Sequence, residues 1–279
     1  MGVAGLLLLA FTFAGCSDEP ALLTQAKKTT LVHELRHRLL ESAEAEKSAV
    51  LATTDEESAA FAAESKGSAA ELRRLREALG GLVTAGGRAV EIEALAVFDR
   101  AWTAVETIDA RILELAVANT NLKAVRLSVG DGTAALDRFT AALGEMEESS
   151  SDATTLRDLS AAGVAALRIQ TLLLQHIPSA DDGEMTALER RMDELGQRVD
   201  RVLAEHATGP SVLEGAGIAT EAWAAYRRIA AEVIRLSRQN TNVISFDLAV
   251  HEKREATKVA LAALAALGAA IESVPHPTR

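Results

Sequence analysis

The segment His33-Glu34-Leu35-Arg36-His37 has the residue types and spacing of a zinc hydrolase motif. Two histidines four apart share one helix face, and the glutamate between them activates a metal-bound water. Such a centre needs a third protein ligand beside a sheet edge, and the sequence carries no strand signal: no β-branched alternation and no Asn-Gly turn. A solvated helix face is the plainer reading. Glu34 and His37 also satisfy the Glu-x-x-His spacing of di-iron bundles, but that site needs two copies and this chain has one. No Cys-x-x-Cys-His is present, so covalent haem is excluded. With no nucleophile–base pair, phosphate-binding glycine loop or paired carboxylates, the sequence predicts a protein that is not an enzyme. No catalytic residue, metal or cofactor is assigned.

The polar residues that stand out are Asn119 and Asn240, each within an Asn-Thr-Asn triplet on an otherwise apolar helical stripe. One reading is a register device, in which a buried Asn pair aligns helices at some expense of stability. The other is a polar ligand pocket lined by Asn119, Asn121, Asn240 and Asn242, with Gln170, Gln175 and His176 as neighbours. Trp102 and Trp223 read as core anchors rather than stacking platforms.

These residues need long helices to carry them. Aromatics are 3% of the 279 residues, and Ala dominates an apolar fraction of 48%. Ala, Leu, Glu and Arg lose little side-chain freedom in a helix. Four stretches of similar length follow Pro20: A (about 21–83), B (about 88–147), C (about 154–207, interrupted at Pro178–Gly183) and D (about 211–271). Asp152 stands as an N-cap for C. In B, Phe98, Ala101, Val105, Ile108, Ile112, Leu115, Asn119 and Leu122 alternate steps of three and four. In D, Ala219, Ala222, Tyr226, Ile229, Val233, Leu236, Asn240 and Val243 do the same, which marks a bundle seam. The formal charge of −11 argues against a nucleic-acid partner and a polybasic membrane role.

B and D are also copies of one another. Ala101-Trp102 matches Ala222-Trp223, and Asn119-Thr120-Asn121 matches Asn240-Thr241-Asn242, at a constant offset of 121 residues. The expected fold is therefore all-α: a long antiparallel up-down-up-down four-helix bundle over 21–272, made of a duplicated hairpin. Repeat 1 covers about 21–148, repeat 2 about 153–272, and 273–279 forms a disordered tail. Counting from the loops places the breaks in A (Thr53-Thr54-Asp55-Glu56) and C beside both Asn triplets, halfway up the bundle.

The N-terminus carries an apolar run, Leu6 to Phe13, too short for a membrane span. Phe13-Ala14-Gly15-Cys16 resembles a bacterial lipobox, with Cys16, the single cysteine, as the lipidated residue. Residues 1–15 would be a lipoprotein signal peptide and 16–20 the anchor and linker. An ordinary signal peptide or a hydrophobic N-terminal helix are the alternatives, since no Lys or Arg precedes the run. Ser17 resembles the outer-membrane sorting pattern of a Gram-negative host, so the expected location is the periplasmic face of a membrane.

A wider resemblance rests on Ala45-Glu46-Lys47-Ser48-Ala49-Val50, Asp55-Glu56-Glu57-Ser58, Phe61-Ala62, Leu113-Glu114-Leu115-Ala116, Asn119-Thr120-Asn121-Leu122-Lys123-Ala124 and Leu127-Ser128. With these, the chain resembles the four-helix-bundle sensory domain of methyl-accepting chemotaxis receptors. The resemblance implies recognition of a small molecule outside the inner membrane, and it is compatible with a homodimer. The family's second span and signalling hairpin have no counterpart after helix D, so a membrane receptor partner is expected. A structural or adaptor lipoprotein that docks to such a partner is the alternative.

Overall fold

A computed structural model describes residues 19–207 and 213–273. Cys16, the signal peptide (1–15) and residues 274–279 of the expected tail lie outside them. Every element is helical: α1 (Glu19–Leu51), α2 (Asp55–Gly86), α3 (Ala89–Ala118), α4 (Thr120–Leu127), α5 (Thr133–Glu148), α6 (Ala153–His176), α7 (Asp182–Ala207), α8 (Ala216–Gln239), α9 (Thr241–Leu248) and α10 (Arg254–Glu272). One π-turn, Ser128–Gly132, joins α4 to α5, and another, Ala249–Lys253, joins α9 to α10. No strand is present among the described residues. None of the helices there is long and apolar enough to cross a membrane.

The breaks do not interrupt straight helices, as the sequence suggested for A and C; they reverse the chain. Ser42 Oγ lies 3.1 Å from Ser65 Oγ, 23 residues on. In one continuous helix those residues would be roughly 35 Å apart, at ~1.5 Å per residue. A and C are therefore hairpins, α1–α2 and α6–α7. Each new helix is capped at its start. Thr54 Oγ1 accepts from the Glu57 amide at 3.1 Å, and Asp181 Oδ1 accepts from the Glu184 amide at 2.8 Å. Both satisfy first-turn N–H groups that the helix itself leaves open. Asp152 caps α6 as expected, accepting from the Thr155 amide at 2.8 Å.

The duplication is visible in the backbone. α9 begins 121 residues after α4, and the second π-turn 121 after the first, at Ala249 against Ser128. Both long helices break at the equivalent asparagine, Asn119 (φ 51°) and Asn240 (φ 53°), in the left-handed region.

The chain divides into two compact units. Within the described residues, one comprises 19–46, 63–109 and 251–273 and the other 47–62 and 110–250. The first has one core drawn from α1, α2, α3 and α10, with Leu35, Leu72, Leu79, Phe98, Val105 and Leu267 fully enclosed. The second has its own core from α4 to α8, centred on Phe139, Met146, Leu159, Val199, Tyr226 and Val233. Trp102 and Trp223 are core residues, and Trp223 stacks on Tyr226 at 5.6 Å. Every residue of the two seams is at least partly buried. Repeats and units do not coincide. The core of the first unit takes α1, α2 and α3 from repeat 1 and α10 from repeat 2; that of the second takes α6, α7 and α8 from repeat 2 and α4 and α5 from repeat 1.

Candidate functional site

The two Asn-Thr-Asn triplets meet. Thr120 N donates to Thr241 Oγ1 at 3.0 Å, and Thr241 N donates back to Thr120 Oγ1 at 3.2 Å. Asn121 N reaches Asn242 Oδ1 (3.1 Å) while Asn242 N reaches Asn121 Oδ1 (3.2 Å). The pairing is reciprocal, as a local two-fold relation requires. The left-handed asparagines open one turn of each long helix, and the amides released there are taken up by the facing triplet. Asparagine tolerates this conformation because its short polar side chain can bond locally.

The break after α6 closes onto this layer. Asn121 Nδ2 donates to Asn240 Oδ1 (2.8 Å) and to the Ile177 carbonyl (2.6 Å); Asn240 Nδ2 donates to the Ser179 carbonyl (2.8 Å). The α1–α2 break arrives there too, through Ser58 Oγ to the Ala116 carbonyl (3.0 Å) and Arg126 to Asp55 (2.7 Å). The convergence expected from counting residues is thus present. Asn242 Nδ2 binds Asn119 Oδ1 at 2.8 Å, and Asn119 Nδ2 alone among the four amides is buried without a partner.

The other residues named with the layer stand elsewhere. Gln170 bridges the first π-turn to the core, donating to the Ser128 carbonyl (3.0 Å) and accepting from the Tyr226 hydroxyl (3.1 Å). Burial pushes the Tyr226 hydroxyl's pKa up. Gln175 is exposed on the outer side of α6. His176 is fully buried, with Nδ1 2.8 Å from Ser237 Oγ and Nε2 2.9 Å from Glu189 Oε1. Ser237, His176 and Glu189 imitate the order of a catalytic triad. Ser237 is fully enclosed, however, and its hydroxyl donates to the His176 carbonyl at 3.1 Å, which leaves no route for a substrate. The array fastens α6, α7 and α8 together, and Arg238 Nε closes it on Glu189 at 2.7 Å.

The Arg238 hydrogen bond holds the Glu189 carboxyl below its ordinary 4.5, against the raising effect of desolvation, with His176 adding to the lowering. A depressed folded-state pKa stabilises the fold above the ordinary value, and that contribution is lost as pH falls through the depressed one. Glu189→Gln is therefore expected to lower Tm at neutral pH and to flatten the acid limb below about pH 4.5. Thermal melts of both proteins across that range would check it; parallel acid limbs would remove Glu189 as their cause.

The zinc-like segment is a surface feature. His33, Glu34 and His37 are all exposed, and His37 Nε2 sits 3.1 Å from Glu41 on its own helix. No cluster of three or more potential metal ligands occurs among the described residues.

A concave surface of a different kind, which reading the sequence missed, lies along the outer side of the α6–α7 hairpin. A cavity of about 550 Å³ is lined by Arg168, Thr171, Leu172, Gln175, Arg191, Glu194, Leu195 and Arg198. A second, of about 400 Å³, adjoins it and shares Arg168, Leu195 and Arg198. None of Arg168, Arg191 and Arg198 makes an ion pair or side-chain hydrogen bond with another described residue. No sequence motif marks the groove, because it exists only once α6 and α7 fold back on each other.

The chain matches no known protein family, and no curated protein or solved structure is significantly similar to it.

Proposed function

We propose that the protein is a non-catalytic, membrane-anchored extracytoplasmic helical-bundle protein that binds a small molecule, as the sensory domains of chemotaxis receptors do. The duplicated helical repeat would serve as its scaffold, and Cys16 as its lipid anchor. The observation that carries the reading is the arginine-rimmed cavity. Its volume of about 550 Å³ falls in the range of small-ligand sites, and polar and charged side chains surround the two apolar residues, Leu172 and Leu195, that line it. The buried Ser237–His176–Glu189 array supports the non-catalytic assignment, since the chain's nearest approach to a catalytic constellation is closed to substrate. The Asn layer belongs to the scaffold in this reading, because nearly all of its amide groups bond to one another or to backbone.

The adaptor reading keeps one observation of its own. Val164, Leu167 and Leu174 leave an apolar stripe on α6 that is 50%, 52% and 44% exposed. The two readings part in one experiment. A thermal-shift screen of the full-length protein against amino acids, organic anions and amphiphiles is expected to find a ligand that raises Tm. If no compound raises Tm while cross-linking through α6 captures a membrane protein, the chain is an adaptor.

A further inference from the structure

The groove on α6 and α7 differs in chemistry from one end to the other. Arg168, Leu195 and Arg198 sit where its two cavities meet. Toward the α6–α7 turn the walls become polar, with Thr171, Gln175 and Arg191 joining the two central guanidinium groups. Toward the start of α6 they become apolar: Ala161, Ala162, Val164 and Ala165 face Val202 of α7, and only Ser160 and Arg157 at the far end interrupt them.

We infer that this groove is a binding site for a single-chain anionic amphiphile, with the negative headgroup on Arg168, Arg191 and Arg198 and the apolar chain along Ala161, Ala165 and Val202. The inference rests on the small-molecule reading above and names the ligand class for it. Three observations converge on that class. Three guanidinium groups with no carboxylate partner line one cavity, and a planar fork of N–H donors matches a carboxylate or phosphate headgroup. Glu194 is the one acid on the polar half, so the half retains a surplus of two positive charges in a chain whose net charge is −11. The adjoining half is walled by small apolar side chains that leave a trough, and Val164 stays 50% exposed beside it. From Arg157 to Arg168 the helix advances roughly 16 Å, at ~1.5 Å per residue, enough for a medium-length acyl chain. A short polycarboxylate would satisfy the arginines and leave the trough uncovered. A neutral lipid would fill the trough and leave the guanidinium groups unused.

The test is calorimetric titration of the full-length protein with dodecanoate, alongside citrate as a tail-less polyanion and dodecyl maltoside as a neutral amphiphile. Dodecanoate is expected to bind and the other two are not. Arg168→Ala with Arg198→Ala should weaken dodecanoate by about tenfold or more, the loss of charge-assisted hydrogen bonds. Val164→Asp should weaken it independently by placing a like charge beside the chain. These positions are exposed, so both variants should keep the wild-type circular dichroism and melting profile, which is checked first. Dodecanoate binding that ignores all three substitutions overturns the site. Citrate binding that is lost in the double arginine variant overturns the amphiphile but leaves small-molecule binding standing. If neither these compounds nor the thermal-shift panel binds, the small-molecule reading itself falls.

Discussion

Asn240→Leu is expected to destabilise the fold by about 3–8 kcal/mol. Leucine at φ 53° would meet the steric cost of the left-handed region, ~1–2 kcal/mol. It would also leave the buried Ser179 carbonyl without its donor and remove the acceptor of Asn121 Nδ2, each loss worth about 1–3 kcal/mol in a buried setting. Asn240→Gly separates the two contributions, since glycine accepts the backbone but carries no amide. It should lose less than the leucine variant, and the order wild type, Gly, Leu in urea unfolding is the signature. A leucine variant that unfolds at or above the wild-type urea midpoint would show that the junction does not constrain the fold.

The second large effect belongs to Lys253. It is 3% exposed and ends the second π-turn, where Nζ meets Glu46 Oε2 at 2.8 Å and also pairs with Asp109. The equivalent residue of the first repeat is Gly132. The same π-turn thus carries a buried ammonium in one copy, and in the other a glycine beside the Gln170–Ser128 bond. Removing one partner of a buried ion cluster leaves the others uncompensated, so Lys253→Met should cost about 3–5 kcal/mol. Neutralising all three, as Lys253→Met with Glu46→Gln and Asp109→Asn, should recover most of that loss. Chemical unfolding of the two variants tests both halves. A single variant as stable as wild type would mean that water solvates the two acids.

How much of this could be read in the sequence depends on what each signal measures. The seams were legible because a three-and-four spacing reports directly which face of a helix is buried. The offset between copies held through the asparagine breaks and π-turns, since the duplicated residues carry the same backbone instructions. The reversals were less visible. Thr54-x-x-Glu57 and Asp181-x-x-Glu184 are start signals for new helices, and giving them more weight would have turned two interruptions into two hairpins. None of Gln170, Gln175 and His176 hydrogen-bonds to the four asparagines: Gln170 reaches Ser128 and Tyr226, Gln175 is exposed, and His176 meets Ser237 and Glu189, because a helix turns successive side chains in different directions. The groove could not be found at all, because its arginines gather only across a hairpin.

The way the two repeats share their helices bears on how such a chain could have arisen. One repeat ends in a helix whose last segment packs in the core built on the other repeat's hairpin, and the loan is returned. A lone repeat would carry a hairpin lacking its fourth helix and a protruding helix lacking a hairpin. Two identical lone repeats would cure both defects by exchange, each lending its last helical segment to the other's core. In its topology the present chain has the connectivity that joining two such exchanging repeats end to end would give, and its two halves differ where Gly132 of one matches Lys253 of the other.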